Sequence, residues 1–204
     1  MDVSPQSDAA ASRHLAYAYK PSLLGAPFEF RLTETALEWR KGGYADRIPY
    51  GQIRRLRLSF RPVSMQSYRF LAELWPARGP RLQISSTSWR SIVELERHDA
   101  AYRAFITELH RRIAAAGAKP SFEAGSPVLV YWIGIAVFAG VALALAALTV
   151  RALQIGTTAG AAIVGGFLVL FLWQVGTFFR RNRPDTYRPD ALPPLVLPRV
   201  ANGE

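Results

Sequence analysis

The chain has 204 residues, a formal net charge of +10 and no cysteine. That length holds one domain of about 100–150 residues with something to spare, and the missing thiols exclude a disulfide framework, a cysteine nucleophile and a cysteine metal site. The basic excess points to an anionic partner, lipid or nucleic acid, and two long uncharged apolar runs decide in favour of lipid.

Residues 1–25 read as an N-terminal arm. Met1 to Arg13 carries Asp2 and Asp8 and has neither a basic start nor an apolar stretch, so it is not a signal peptide. From Phe28 to Ser86 the pattern alternates with period two, the mark of half-buried antiparallel strands. Phe28, Phe30 and Leu32 alternate with Glu29 and Arg31; Leu37 and Trp39 alternate with Glu38 and Arg40. Gly42-Gly43 interrupts the run as a hairpin turn does. Further strands are expected over Tyr44–Tyr50, Gln52–Phe60, Met65–Trp75 and Arg81–Ser85, and a short one at Ser91–Leu95.

The strand starting at Gln52 turns Leu56, Leu58 and Phe60 one way and Arg55, Arg57 and Arg61 the other. Guanidiniums spaced along one face can engage phosphates with paired donors, so these three arginines are the candidate anionic-lipid site. The competing reading is a solvated face whose arginines pair with Glu29, Glu38 or Glu73. The period then changes. Tyr102, Phe105, Ile106, Leu109 and Ile113 follow helical spacing, and Asp99 is the expected N-cap.

His14, His98 and His110 are scattered, with His98 and His110 beside arginines, and they read as solvated surface. The serine cluster Ser85–Trp89 lacks a base and reads as a strand end or loop. No HExxH, glycine-rich phosphate loop or GxSxG occurs, so no catalytic residue, metal site or cofactor is expected. Nor does a nucleic-acid-binding module accompany the charge.

Residues 117–126 form a linker. Beyond it, 127–150 and 153–179 contain no Asp, Glu, Lys or Arg. At about 1.5 Å per residue each run covers roughly the 30 Å of a bilayer core, and a chain this small cannot enclose two helices that are apolar all round. The few residues between them allow only a tight turn, so they form a hairpin. Arg111, Arg112 and Lys119 before it and Arg180, Arg181 and Arg183 after it outnumber Arg151 in the turn, which places both termini in the cytoplasm. Tyr131, Trp132 and Trp173, with those last three arginines, are the expected interface residues. Gly156, Gly160, Gly165 and Gly166 form a small-residue stripe suited to close helix packing; such packing within the hairpin and oligomerisation both remain open. Neither span carries an ionisable residue, which argues against a transport pathway.

Residues 180–204 are proline-rich. Prolines 184, 189, 193, 194 and 198 forbid helix, while Leu192, Leu195, Val196 and Leu197 suit an extended segment docked on the soluble domain or on a partner; the alternative is a flaccid, undocked tail.

Strands in hairpins followed by one amphipathic helix resemble the bacterial pleckstrin-homology-like membrane proteins. The likeness covers residues 26–116 and rests on Arg47–Leu56, Arg81–Ser86 and the helix bearing Tyr102, Phe105 and Leu109. It implies a membrane α+β protein: a pleckstrin-homology-like antiparallel β-barrel with a C-terminal capping helix, followed by the two-helix transmembrane hairpin. The phosphoinositide motif of eukaryotic members is absent. Arginine outnumbers lysine 22 to 3, which reads as the codon bias of a GC-rich bacterial genome. The expected function is a non-enzymatic interaction module in the inner membrane, a scaffold or accessory subunit with membrane lipids and a membrane-protein partner. The alternative is anionic-lipid sensing through Arg55, Arg57 and Arg61.

Overall fold

The structure, a computed structural model, describes residues 15–62, 68–91 and 94–199. It divides into two compact units, one made of Met1–Ala124 with Asp185–Glu204, the other of Gly125–Pro184.

The first unit opens with a four-stranded antiparallel meander: β1 (Ala16–Tyr19), β2 (Phe28–Leu32), β3 (Ala36–Lys41) and β4 (Tyr44–Pro49), paired in that order. Register sets Tyr17, Phe30 and Trp39 side by side, and all three are buried. Gly42, at φ 59°, makes the tight β3–β4 turn that a side chain would strain. A 3-10 turn over Tyr50–Gln52 leads into β5 (Ile53–Pro62), β6 (Tyr68–Pro76) and β7 (Leu82–Ser85), again antiparallel. A separate two-stranded ribbon follows, β8 (Thr87–Trp89) with β9 (Leu95–Arg97).

Helix α1 (Asp99–Ala115) buries Tyr102, Phe105, Ile106, Leu109 and Ile113, the stripe expected from sequence. Phe105 lies 5.5 Å from the Tyr17 ring and 6.3 Å from Phe30, so the helix packs on the first sheet. The second sheet gives Leu56, Leu58, Leu74 and Ile84 to the same core. Among the described residues the sheets do not close into a barrel. They meet mainly through side chains: the Tyr17 hydroxyl donates to the Ser85 carbonyl at 2.6 Å, and that of Tyr19 to Gln83 at 2.7 Å.

Several expectations shift. β1 lies in the segment read as an arm; its Ala-Tyr-Ala-Tyr presents small residues outward and only two apolar rings inward, too short a pattern to stand out. Instead of one strand at Ser91–Leu95, β8 and β9 flank that stretch, with Ile92 and Val93 outside the described residues, as are Met65 to Ser67 of the expected longer strand. His98, not Asp99, occupies the N-cap position, and the Asp99 carboxylate instead accepts from Arg97.

The largest revision concerns the linker and the tail. Residues 121–124 form β10 (Ser121–Ala124), parallel to β5, and β11 (Asp185–Thr186) pairs antiparallel with β10. The second sheet therefore runs β11-β10-β5-β6-β7. Its outermost strands lie on either side of the helical hairpin in the sequence.

The other unit holds α2 (Val128–Gln154) and α3 (Thr158–Arg181), two helices long and apolar enough to cross a membrane. Gly134 meets the Phe179 ring and Gly165 meets Thr149, contacts that make the helices antiparallel neighbours. Ala161 alone of their residues is buried. At the open end, the Ser126 N–H donates to the Asn182 carbonyl at 3.0 Å.

Candidate functional site

Because side chains alternate along a strand, the face of the second sheet opposite Leu56 and Leu58 carries Arg55, Arg57 and Arg61 of β5 together. Register adds residues from the neighbouring strands: Glu123 opposite Arg57 on one side, Glu73 opposite it on the other, Trp75 opposite Arg55 and Arg69 opposite Arg61. Arg81, just before β7, completes the group. The guanidinium carbons of Arg55, Arg57 and Arg81 lie 5.5, 5.4 and 4.9 Å from the Trp75 ring centroid, within cation–π range.

The carboxylates are shared out unevenly. Glu123 accepts from Arg57 Nε at 3.0 Å and lies 3.2 Å from Arg55 Nε. Burial pushes the Glu123 carboxyl up, but the Arg57 hydrogen bond and charge, helped by Ser121 and Arg55, bring it below the usual value. Glu73, buried, accepts from Arg81, lies 3.3 Å from the Gln83 amide and 3.6 Å from Arg61. Arg81 is pulled down by burial and then by Arg61 and Arg57. Arg69 is lowered mainly by burial and next by Arg61, against a smaller opposing pull from Tyr19.

Sequence reasoning found Arg55, Arg57 and Arg61 on one face, and Glu73 among their possible partners. Glu29 and Glu38, the other two, belong to the first sheet. Glu123 escaped notice because its segment read as linker, and Arg69, Trp75 and Arg81 because cross-strand register is invisible in one strand's alternation.

A second cluster ties the tail down. The His110 ring stacks on Phe122 of β10 at 5.3 Å, and its Nε2 lies 2.8 Å from the Tyr187 hydroxyl. Nδ1 lies 2.7 Å from the Ile106 carbonyl. A neutral ring donating from Nδ1 and accepting at Nε2 satisfies both. Burial lowers its pKa to about 4, against a smaller upward pull from the Ile106 carbonyl. His110 is thus a core residue, not the solvated one expected from its arginine neighbours, because its helix face turns toward Phe122. Farther along, Val196 and Leu197 are buried, and the Arg103 guanidinium donates to the Pro198 carbonyl at 2.8 Å. Of the two docking surfaces left open for the tail, this chain supplies its own.

In the hairpin, Gly165 is the one glycine of the expected stripe with the facing helix in reach. Gly156 sits in the turn at φ 78°, Gly160 faces only Thr157, and Gly166 faces open space. Rings pack there too: Phe138 lies 5.1 Å from Phe171 and 5.5 Å from Phe179, which also meets Tyr131 at 5.6 Å. Trp132 and Trp173 are exposed. Arg180 and Arg181 end α3, and Arg183 follows it. Trp173 stands about two turns inside that end.

On the first sheet, a shallow open depression of about 830 Å³ is lined by Arg31, Arg40 and Arg47 with Glu29, Glu38 and Asp46. Among the described residues no three His, Asp or Glu side chains group as metal ligands. No protein-family model, no curated protein and no solved structure matches the chain.

Proposed function

We propose that the chain is a non-enzymatic interaction module of the bacterial inner membrane, a scaffold or accessory subunit anchored by α2 and α3. Both termini would be cytoplasmic, with the arginines flanking the hairpin on that side and Arg151 alone on the other. The exposed apolar surfaces of α2 and α3 support insertion, since water would leave them unpaired with any partner. A four-stranded meander, a second, mostly antiparallel sheet and one helix against the core support the pleckstrin-homology-like reading, here with the sheets joined at a corner by tyrosine hydroxyls. One observation carries the reading above all: β10 enters the hairpin and β11 leaves it side by side. The chain thus leaves the folded unit for the apolar helices and returns to it through two strands paired in one sheet, which supports a folded module with an apolar anchor inserted in it.

Purification of the tagged full chain in mild detergent, with mass spectrometry of what accompanies it at low and high salt, tests this. A defined, stoichiometric set of membrane proteins surviving high salt supports the module. Recovery of the chain alone at both salts sinks it.

A second reading, adhesion to anionic headgroups through Arg55, Arg57 and Arg61, draws on the exposure of Arg55 and Arg61. It requires acidic lipid to co-purify at low salt, to leave as salt screens the contacts, and to be lost when the three are changed to alanine.

A further inference from the structure

We propose that Arg61, Arg69 and Arg81 form a discrete binding site for a multiply charged phosphate group on the outer face of the second sheet. Register sets Arg61 directly opposite Arg69, and like charges so placed repel across a ladder. A third guanidinium, Arg81, converges on the same carboxylate as Arg61. Arg61 and Arg81 thus share Glu73, Arg69 adds a third positive charge across the ladder, and Glu123 of the same face is engaged by Arg55 and Arg57. The excess is two charges, which a phosphate group matches and a single carboxylate ligand does not.

Geometry gives a second, independent sign. Among the described residues, Arg69 Nε is shut off from solvent with no hydrogen-bond acceptor, although a buried guanidinium N–H ordinarily finds one. Arg61 and Arg81 are 48 % and 42 % exposed, so the cluster is open to a ligand on one side. Planar guanidiniums bind phosphate oxygens with paired N–H donors. The downward shifts of Arg69 and Arg81, in which Arg61 has a part, agree with repulsion that a bound anion would relieve. The phosphate could belong to a lipid headgroup or to a soluble compound. The proposal is independent of the module reading and shares only Arg61 with the lipid-adhesion reading.

The test uses the full chain in nanodiscs of uncharged phosphatidylcholine, titrated calorimetrically with inorganic pyrophosphate at low salt. Saturable binding is expected, weakened tenfold or more by Arg61→Gln and by Arg81→Gln. Both changes are at half-exposed side chains, and unchanged thermal midpoints confirm the fold; Arg69→Gln is a supporting variant. Arg40→Gln, on the first sheet, should bind as the wild type does. No saturable binding by the wild type, or equal weakening by Arg40→Gln, overturns the site. Repeating the titration in discs that contain phosphatidic acid separates the sources. Loss of pyrophosphate binding there assigns the site to a headgroup, and retained binding assigns it to a soluble phosphate compound.

Discussion

The two sheets of the folded unit are built differently. The first takes four consecutive strands from residues 16–49, each paired with the next in sequence, while the second gathers strands from residues 53 to 186 and has the hairpin inserted between its last two. Their outward faces differ as well. Arg31, Arg40 and Arg47 share the first with Glu29 and Glu38, whereas five arginines share the second with Glu73 and Glu123. Local pairing makes the meander self-sufficient, because short loops cost little entropy to close. The second sheet gains its last strands only when distant segments return, so its integrity reports on the hairpin and the tail.

Removing the tail after Pro184 should separate the sheets most strongly. The truncation deletes β11, exposes the surface under Val196 and Leu197, and takes Tyr187 from His110. Burial of two such apolar side chains is worth about 1.5–3 kcal/mol each, so a loss of roughly 4 kcal/mol in unfolding free energy is expected. Amide hydrogen exchange should show β10 and β5 losing protection well before β2 and β3. Equal loss throughout would mean the sheets unfold as one unit and the contrast between them is only one of topology.

Gly125→Ala attacks the crossing itself. Gly125 has φ 78°, and a Cβ there would lie 2.5 Å from the Asn182 carbonyl oxygen and against that of Arg183. Positive φ and backbone overlap together should cost about 3 kcal/mol, read as a lowered thermal midpoint. Gly166→Ala, which meets nothing within 4 Å, is the matched control and should change little.

Acid should weaken the second sheet's attachment selectively. The unfolded chain protonates His110 near the ordinary 6.5, the folded site only near about 4. The stabilisation is therefore complete above pH 6.5 and is lost as pH falls toward 4. Between pH 7 and 5 this amounts to about 2 kcal/mol by linkage. Glu108, held near about 2 first by its hydrogen bond from Arg111, titrates below that window and leaves it to His110. Denaturant titrations at the two pH values measure the slope, and His110→Gln should flatten it.

What the sequence reveals follows the same division. Strands β2 to β4 of the meander, the stripe of α1 and both apolar helices are periodic over many residues, so each is visible without knowledge of what it packs on, whereas β1 is too short to stand out. β10 and β11 are four and two residues long, and their partners are set by tertiary pairing. Ser121–Ala124 and Asp185–Thr186 therefore carry no signal of their own. The candidate site divides likewise. Alternation along β5 places three arginines on one face, but register alone brings Arg69, Trp75 and Glu123 beside them.

The smallest effect concerns the corner where the sheets meet. Tyr17→Phe keeps the ring, with its contacts 6.1 Å from Tyr102 and 5.5 Å from Phe105, and removes only the hydroxyl that donates to Ser85. A lost hydrogen bond of this kind costs about 1 kcal/mol, more where the carbonyl left behind stays dry. Tyr19→Phe, whose hydroxyl reaches Gln83 at a less buried position, should cost somewhat less. Both bonds cross from β1 to β7 and can break together, so the double variant distinguishes two architectures. If the tyrosines are independent fasteners on a corner already held by packing, their costs add. If they are what keeps the meander against the second sheet, the first loss loosens the corner and the second adds little. The double variant would then show faster exchange at β1 and β7 with β2, β3 and β6 unchanged.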